Sequence, residues 1–256
     1  MTLIRTVVTT GLVAIGALLS AAVPALAQDA ASWMRAQYVQ VKPEKLDDFI
    51  ELYRDEINPA LRRAGVPWRS AWQTGEFGDV YQRLFVEPLS SFAELDTGGA
   101  LARALDARQL DRVLDKLREY TDSRHTYAVL YRADLSVESD DVTGLSLARI
   151  SDVHVAPGRG LEFEAFLRDN LENFRGGGVV FGVYQRQFGP GPAVWQIVEN
   201  LRSYSELPRG GILRAFGDES DRAAASLTGI VTSVERVVLE YDEALSYRAV
   251  SQTTQP

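Results

Sequence analysis

Two stretches with alternating hydrophobic and polar residues occupy matching places in the two halves of the chain. Residues 34–41 and 147–155 both have the period of a half-buried strand. Each stretch is followed by a break at a proline, Pro43 or Pro157, and then by apolar residues at the three- and four-residue spacing of an amphipathic helix. The pattern therefore predicts the same strand-then-helix start in both halves.

The predicted helices end at glycines. The apolar positions of the first helix are Leu46, Phe49, Ile50, Tyr53, Ile57, Leu61 and Ala64, and those of the second are Phe163, Phe166, Leu167, Leu171 and Phe174. Gly65 ends the first helix and Gly176–Gly178 the second, while Pro59 should kink the first or start a new turn. Glycine-rich turns then separate a second strand from a third in each half.

A repeated segment indicates that the two halves of the sequence are related. Residues 86–101 and 198–213 are identical at nine of sixteen positions, where chance would give roughly one. The remaining predicted elements are third strands at 80–87 and 194–199, helices at 109–120 and 220–230, and final strands at 125–132 and 234–241. Each half therefore has the predicted order β-α-β-β-α-β.

This order predicts an α+β fold of two tandem ferredoxin-like repeats. Right-handed crossovers put both helices of a repeat on one face of a four-stranded antiparallel sheet and leave the other face bare. We expect the two bare faces to cover each other, which gives an α/β barrel with helices outside. The predicted divisions are a signal peptide at 1–27, a first repeat at 28–136, a linker at 137–145, a second repeat at 146–247 and a disordered tail at 248–256.

The first residues have the features of a secretory signal. Arg5 precedes a largely apolar run, Val7–Val23, and Ala25–Ala27 form a small-residue cleavage site. We therefore expect cleavage near Ala27, a periplasmic or secreted protein, and no stable membrane span afterwards. The alternative is an uncleaved anchor, since the apolar run is near the lower length limit for a span.

Charge and cysteine content exclude several classes of function. The chain has 35 acidic and 27 basic residues and a formal net charge of -8, so nucleic acid is not an expected partner. It has no cysteine, which excludes disulfides, thiolate metal sites and thiol catalysis. The sequence predicts no metal site and no cofactor.

The whole mature length resembles a tandem of dimeric α/β-barrel domains, the group that includes antibiotic-biosynthesis-type monooxygenases, NIPSNAP-like proteins and stress-responsive barrel proteins. The features that carry the resemblance are the helix starts at Pro43 and Pro157, the stretch Pro59–Leu61 before a glycine, and a long helix that leads into Val234–Leu239. The resemblance implies the fold. Members include cofactor-free oxygenases, haem-degrading enzymes, haem peroxidase relatives and proteins without known activity.

The first strand of each half carries the candidate catalytic residues. If Val39, Val41, Val153 and Val155 pack on helices, the opposite face carries Tyr38, Gln40, Asp152 and His154, and points between the sheets. His154 could then act as a base that Asp152 orients, with Tyr38 or Arg83 stabilising developing negative charge. The alternative is that hydrogen bonds, between the two or to neighbouring strands, simply satisfy buried polar atoms.

The third strands carry two further candidates for ligand binding, Arg83 and Trp195. If Leu84 packs on helices, Arg83 enters the interior and binds a carboxylate such as Asp152 or an anionic ligand. A register shifted by one residue would turn Arg83 outward to water. Trp195 shares the face of Arg83 in the matching strand.

Three functions remain open from the sequence. The leading one is a secreted or periplasmic barrel that binds a small, partly apolar molecule between its sheets. The alternatives are a cofactor-free monooxygenase-like enzyme that uses His154 and Asp152, and a haem-binding barrel with His125 or His154 as ligand. Whether the chain is an enzyme, and whether it is a monomer or a homodimer, stays open.

Overall fold

The computed structural model of the chain describes residues 33–139 and 146–248. The expected signal peptide lies outside the described residues, and so do residues 140–145 of the linker and residues 249–256 of the tail. In the described ranges no helix is both long and apolar enough to cross a membrane.

The first half contains four strands and four α-helices among its described residues. The strands are β1 (Trp33–Val41), β2 (Trp68–Thr74), β3 (Gln82–Pro88) and β4 (Thr121–Tyr131). The helices are α1 (Leu46–Glu51), α2 (Asn58–Arg63), α3 (Gly99–Ala104) and α4 (Ala107–Tyr120), with a π-helical segment Leu52–Ile57 between α1 and α2. Pro59 lies in the first turn of α2 and has no N–H to donate, which fits the widened turn before it.

The second half follows the same order of strands, with shorter helices late in the chain. Its strands are β5 (Leu147–Val155), β6 (Gly182–Phe188), β7 (Val194–Leu201), β8 (Val231–Tyr241) and the two-residue β9 (Tyr247–Arg248). Its helices are α5 (Gly160–Asp169), α6 (Leu171–Gly176) and α7 (Ser220–Ser226). The helix predicted for 220–230 ends early because a turn follows, in which Gly229 has a φ of 74°.

Eight of the described strands close into an antiparallel barrel. They hydrogen-bond in the order β3-β1-β4-β6-β7-β5-β8-β2, and pairing of β2 with β3 closes the ring. The α+β barrel expected from the sequence is therefore present. The two four-stranded sheets do not merely face each other, because the pairs β4–β6 and β2–β8 join their edges. β1 and β5 lie on opposite sides of this ring and run in the same direction.

Three apolar layers hold the barrel together. The interior contains Met34, Ala36, Leu84, Val129, Ala148, Ile150 and Leu239. Outside the barrel, Val39 and Val41 pack under the helices of the first half, and Val153 and Val155 under those of the second. The faces predicted for β1 and β5 are thus confirmed. Burial of such side chains stabilises the fold by roughly 1.5–3 kcal/mol each.

Candidate functional site

A polar cluster lies inside the barrel, where Tyr38 of β1 approaches the opposite strand β5. Gln196 joins them: its Nε2 donates to Tyr38 Oη at 3.1 Å and to Asp152 Oδ1 at 2.8 Å. Arg186 donates to the other oxygen of Asp152, and its guanidinium lies 4.8 Å from the centroid of the Tyr127 ring. The carboxylate of Asp152 is therefore neutralised by a cation inside the barrel, as a buried charge requires.

Burial controls the ionisation of Tyr38. Loss of water around the phenol, together with the negative charge of Asp152, raises the pKa of Tyr38 to about 12. The hydroxyl is consequently protonated at neutral pH and remains a hydrogen-bond donor.

His154 lies on the same face of β5 as Asp152 but does not bond to it. Its Nε2 is 3.6 Å from Glu235 Oε1 and, although buried, has no hydrogen-bond partner. Asp152 is occupied instead by Arg186 and Gln196. The expected His–Asp hydrogen bond is therefore absent between these two residues, and a catalytic role for either stays a prediction.

Arg83 does not enter the barrel, contrary to one of the two expected registers. Leu84 and Val86 pack in the interior, which places Arg83 on the helix-facing side of β3 with Phe85. Arg83 is not turned to water either: it is buried, and its Nη1 donates to Asp242 Oδ2 at 2.6 Å. The expected contact with Asp152 was wrong because Leu84 and Val86, and not Arg83, occupy the face of β3 that points into the barrel.

Trp195 is also outside the barrel interior. It packs in the outer layer of the second half, with its ring 5.8 Å from that of Phe163. The expectation that it lines the space between the sheets was wrong for the same reason of strand phase. Gln40 lies on the interior-facing side of β1, near its end, where its Nε2 donates to the carbonyl oxygen of Val80 at 2.6 Å.

A small cavity occupies the rest of the barrel interior, and we call it the barrel cavity. Its volume is about 180 Å³. Its walls are mainly apolar side chains and four aromatic rings, with the polar groups of Tyr38, Ser70, Gln196 and Asn200 among them. The aromatic residues are Tyr38, Trp68, Trp72 and Tyr184.

A larger cavity of about 360 Å³ lies outside the barrel, between the sheet of the first half and helices α2, α3 and α4. We call it the outer cavity. Its apolar wall includes Ile57, Leu61, Leu101, Leu110, Leu114 and Leu117. The volume falls in the range of ordinary ligand pockets, whereas the barrel cavity is smaller than that range.

Arginines outnumber carboxylates in the outer cavity, which is unusual in a chain of net charge -8. Arg103 pairs with Glu94 at 3.1 Å, and Arg35 pairs with Glu87 at 2.9 Å. Two further arginines, Arg69 and Arg124, line the cavity. Arg124 is exposed and, among the described residues, has no hydrogen bond or ion pair through its side chain. The cavity therefore presents positive charge that its own carboxylates do not balance.

Arg69 is the most unusual of these side chains, because it is only 4% exposed and, within the described ranges, its buried Nε and the buried Oε2 of Glu87 both lack a hydrogen-bond partner. Its Nε lies 3.7 Å from Glu87 Oε2, an ion contact too long for a hydrogen bond. The guanidinium stacks over the rings of Phe85 and Tyr53, at 4.3 and 5.1 Å. The rings hold it in place at the cavity wall while its donors stay available.

In the second half, protein groups occupy the position that corresponds to the outer cavity. Arg149 and Glu199 face each other across strands as Arg35 and Glu87 do, with an N–O distance of 2.7 Å. Arg149 also donates to the carbonyl oxygens of Leu207 and Gly210, and Arg214 adds a second contact to Glu199 at 2.6 Å. Only a cavity of about 150 Å³ remains there.

Sequence reasoning missed the arginines of the outer cavity. A signal was present, because the repeated segments share a Val-Glu pair, Val86-Glu87 and Val198-Glu199, inside predicted strands. A carboxylate repeated in a buried strand implies a buried partner. Arg35 and Arg149 occupy the facing strands and were available as that partner.

The described residues contain no group of three or more His, Asp or Glu side chains arranged to hold a metal ion. His125 is exposed, and neither it nor His154 lines the barrel cavity or the outer cavity. These two cavities therefore present no histidine to a cofactor.

No family model and no curated protein matches this chain. Its fold is similar to that of solved structures. A candidate monooxygenase from Lactobacillus acidophilus NCFM aligns with a TM-score of 0.54 at 8% identity, covering 85% of this chain and 96% of that one. One from Fusobacterium nucleatum has a TM-score of 0.54 at 13% identity, covering 86% and 99%. An anthrone oxidase-like protein has a TM-score of 0.57 at 14% identity, covering 87% and 94%. At these identities the likeness shows the fold alone.

Proposed function

We propose that the protein binds a small, largely apolar molecule with a carboxylate or similar anionic group, and that the site is the outer cavity. The observation that carries this proposal is the guanidinium of Arg69, which is buried and without a hydrogen bond. The site differs from the one expected from the sequence, which was the space between the sheets.

The charges of the outer cavity support an anionic ligand. A guanidinium taken out of water needs hydrogen-bond acceptors, and Glu87 is shared between Arg35 and Arg69. A ligand carboxylate next to Arg69 would supply the missing acceptors in a charge-assisted, bidentate contact. Arg124 lies on the same cavity wall and would add attraction without a competing carboxylate of its own.

The apolar wall supports a hydrocarbon or aromatic body for the ligand. Leucines of α3 and α4 face the cavity opposite the arginines, so a ligand lying across it would place its anionic end on the sheet and its apolar end on the helices. Medium-chain carboxylates have this shape.

The enzyme alternative requires a different arrangement from the one observed. His154 would have to donate a hydrogen bond from its ring N–H to Asp152, whose oxygens already accept from Arg186 and Gln196. The structural neighbours described as candidate monooxygenases support that alternative through fold only. Ligand binding in the outer cavity needs no such rearrangement.

We propose two further points about the chain. The halves are tandem ferredoxin-like repeats; the matching strand orders, β4-β1-β3-β2 and β8-β5-β7-β6, and the shared segments of sequence support this. The mature protein is periplasmic or secreted after cleavage near Ala27, which the pattern of residues 1–27 supports.

Calorimetric titration of the mature protein tests the binding proposal. Decanoate is the anionic probe and decan-1-ol the neutral one, with hexanoate and tetradecanoate to cover other lengths. We expect decanoate to bind at least ~10-fold more weakly to Arg69→Met than to the wild type, because a charge-assisted contact contributes about 1.5–3 kcal/mol. Binding of decan-1-ol should change little.

Arg175→Met is the matched control, since Arg175 is half exposed on α6 and its one ion pair among the described residues is with Glu172. It removes the same charge from the protein without touching the outer cavity. Equal loss of decanoate binding in the two variants, or failure of every carboxylate to bind the wild type, would overturn the proposal.

A further inference from the structure

The hydroxyl of Tyr38 faces the barrel cavity with its own hydrogen unused. Gln196 Nε2 donates to Tyr38 Oη, so the phenol oxygen acts as acceptor in that contact. The second hydrogen of the same amide goes to Asp152. Among the described residues nothing accepts a hydrogen bond from Tyr38, and a buried donor without an acceptor is costly.

We propose that the barrel cavity is a second binding site, for a small neutral molecule with one hydrogen-bond-accepting oxygen such as a ketone or aldehyde. The oxygen would accept from Tyr38, and the apolar body would lie among Trp68, Trp72 and Tyr184. This site is separate from the outer cavity and does not depend on it.

The size of the barrel cavity limits the ligand. A dry apolar cavity of roughly 150 Å³ takes up benzene, so about 180 Å³ has room for a single ring with a short substituent. The outer cavity has twice this volume. The two sites should therefore select ligands of different length.

The surroundings of Tyr38 select against anions. The wall of the barrel cavity offers no cation to a ligand, and the nearest one, Arg186, is paired with Asp152. One other donor of the wall is engaged, since Trp72 Nε1 donates to Ser70 Oγ at 3.3 Å. A neutral acceptor is the chemistry that fits this donor.

A neighbouring surface pocket shares part of its wall with the barrel cavity. The pocket has a volume of about 350 Å³, and the shared residues are Tyr184, Val198 and Asn200. The side of the barrel cavity that these residues line is therefore next to the surface of the protein.

The test compares acetophenone with cumene, which has the same shape with a methyl group in place of the carbonyl oxygen. Dissociation constants are measured by ligand-detected NMR on the mature protein. We expect acetophenone to bind ~5-fold more tightly than cumene to the wild type, and the two to bind alike to Tyr38→Phe, because only the hydrogen bond distinguishes them.

Ala36→Phe locates the site, because Ala36 is buried and lines the barrel cavity. It should abolish binding of both aromatic probes and leave decanoate binding unchanged, which separates this proposal from that for the outer cavity. Equal affinity of the two probes for the wild type would overturn the inference. So would a preference for acetophenone that survives in Tyr38→Phe, or binding that Ala36→Phe does not affect.

Discussion

The two halves of the barrel use the same ion pair in different surroundings. Arg35–Glu87 and Arg149–Glu199 occupy matching places on matching strands. In the second half the chain folds back over the pair and supplies carbonyl oxygens and a second arginine. In the first half the pair faces the outer cavity, which lies between the sheet and helices α2, α3 and α4. The same ion pair is thus covered by other groups in one half and faces a cavity in the other.

One position explains much of the difference. Strand register places Phe181 where the first half has Arg69, because Arg69 and Phe181 both precede the residues that pair with Val86 and Val198. Phe181 is 2% exposed and packs in the outer layer of the second half. An apolar ring there completes a core, whereas a guanidinium at the same place requires an acceptor.

The largest expected effect on stability is at the buried pair Arg149–Glu199 of the second half. Glu199→Gln leaves Arg149 and Arg214 without their shared charge partner, and because Glu199 is 1% exposed we expect a loss of about 3–5 kcal/mol in the free energy of unfolding. Glu87→Gln should cost less, since Arg35 is partly exposed and water can enter the outer cavity. Urea unfolding measures both, and equal losses would contradict the distinction between the halves.

A smaller effect is expected at a matched pair of glycines. Gly98 has a φ of 85° and a ψ of 7°, in the left-handed helical region, where a side chain costs about 1 kcal/mol. Gly210 has a φ of 81° and a ψ of -176°, in a region almost confined to glycine, where a side chain costs about 1–3 kcal/mol. An added Cβ at Gly98 would also lie 2.8 Å from the Cβ of Ala102, while nothing lies within 4 Å at Gly210. We therefore expect both Gly98→Ala and Gly210→Ala to lower the unfolding temperature, the first through backbone strain and a steric contact and the second through backbone strain alone. An unchanged unfolding temperature in either variant would contradict the backbone conformation described there.

Burial of the Tyr38 phenol makes the stability of the protein depend on pH at alkaline values. Because the folded-state pKa of Tyr38 is raised to about 12 from 10.0, its contribution to stability is complete below pH 10 and is lost as the pH rises through 12. We expect the free energy of unfolding to fall across this window, and to fall less in Tyr38→Phe. An identical slope in the variant, measured by urea unfolding at several pH values, would contradict the burial of the phenol.

The smallest effect is expected at Arg124. It is exposed at the edge of the outer cavity, so Arg124→Ala should leave the unfolding free energy unchanged within about 0.5 kcal/mol. Decanoate affinity should fall ~2- to 3-fold, and the difference should shrink at high salt, because a solvent-facing charge is screened. A loss as large as that of Arg69→Met would mean that the anion sits at the rim and not at the buried guanidinium.

The sequence predicted which segments are strands and helices. It predicted which face of a strand points into the barrel only where apolar and polar residues alternate. Alternation along β1 and β5 assigned Val39 and Val153 to the helix side correctly, because apolar residues there contrast with polar ones opposite. In β3 and β7 apolar residues occupy both faces, so the pattern did not fix the phase for Arg83 or Trp195.

The candidate site depended on contacts that no local pattern contains. The outer cavity is lined by residues of β1, β2 and β3 together with residues of α2, α3 and α4, so it depends on how these elements pack in three dimensions. Arg69 is one arginine among many in the sequence, and only its burial without an acceptor distinguishes it. The repeated Glu87 and Glu199 could have pointed to a buried partner, but not to which half stays open.

A crystal structure of the mature protein with 10-bromodecanoate tests the central claim directly, because anomalous scattering locates the bromine and the density locates the carboxylate. We predict the carboxylate within hydrogen-bond distance of Arg69 and the bromine among the leucines of α3 and α4. A probe bound in the second half, in the barrel cavity or only on the surface would contradict the claim that the outer cavity of the first half is the binding site.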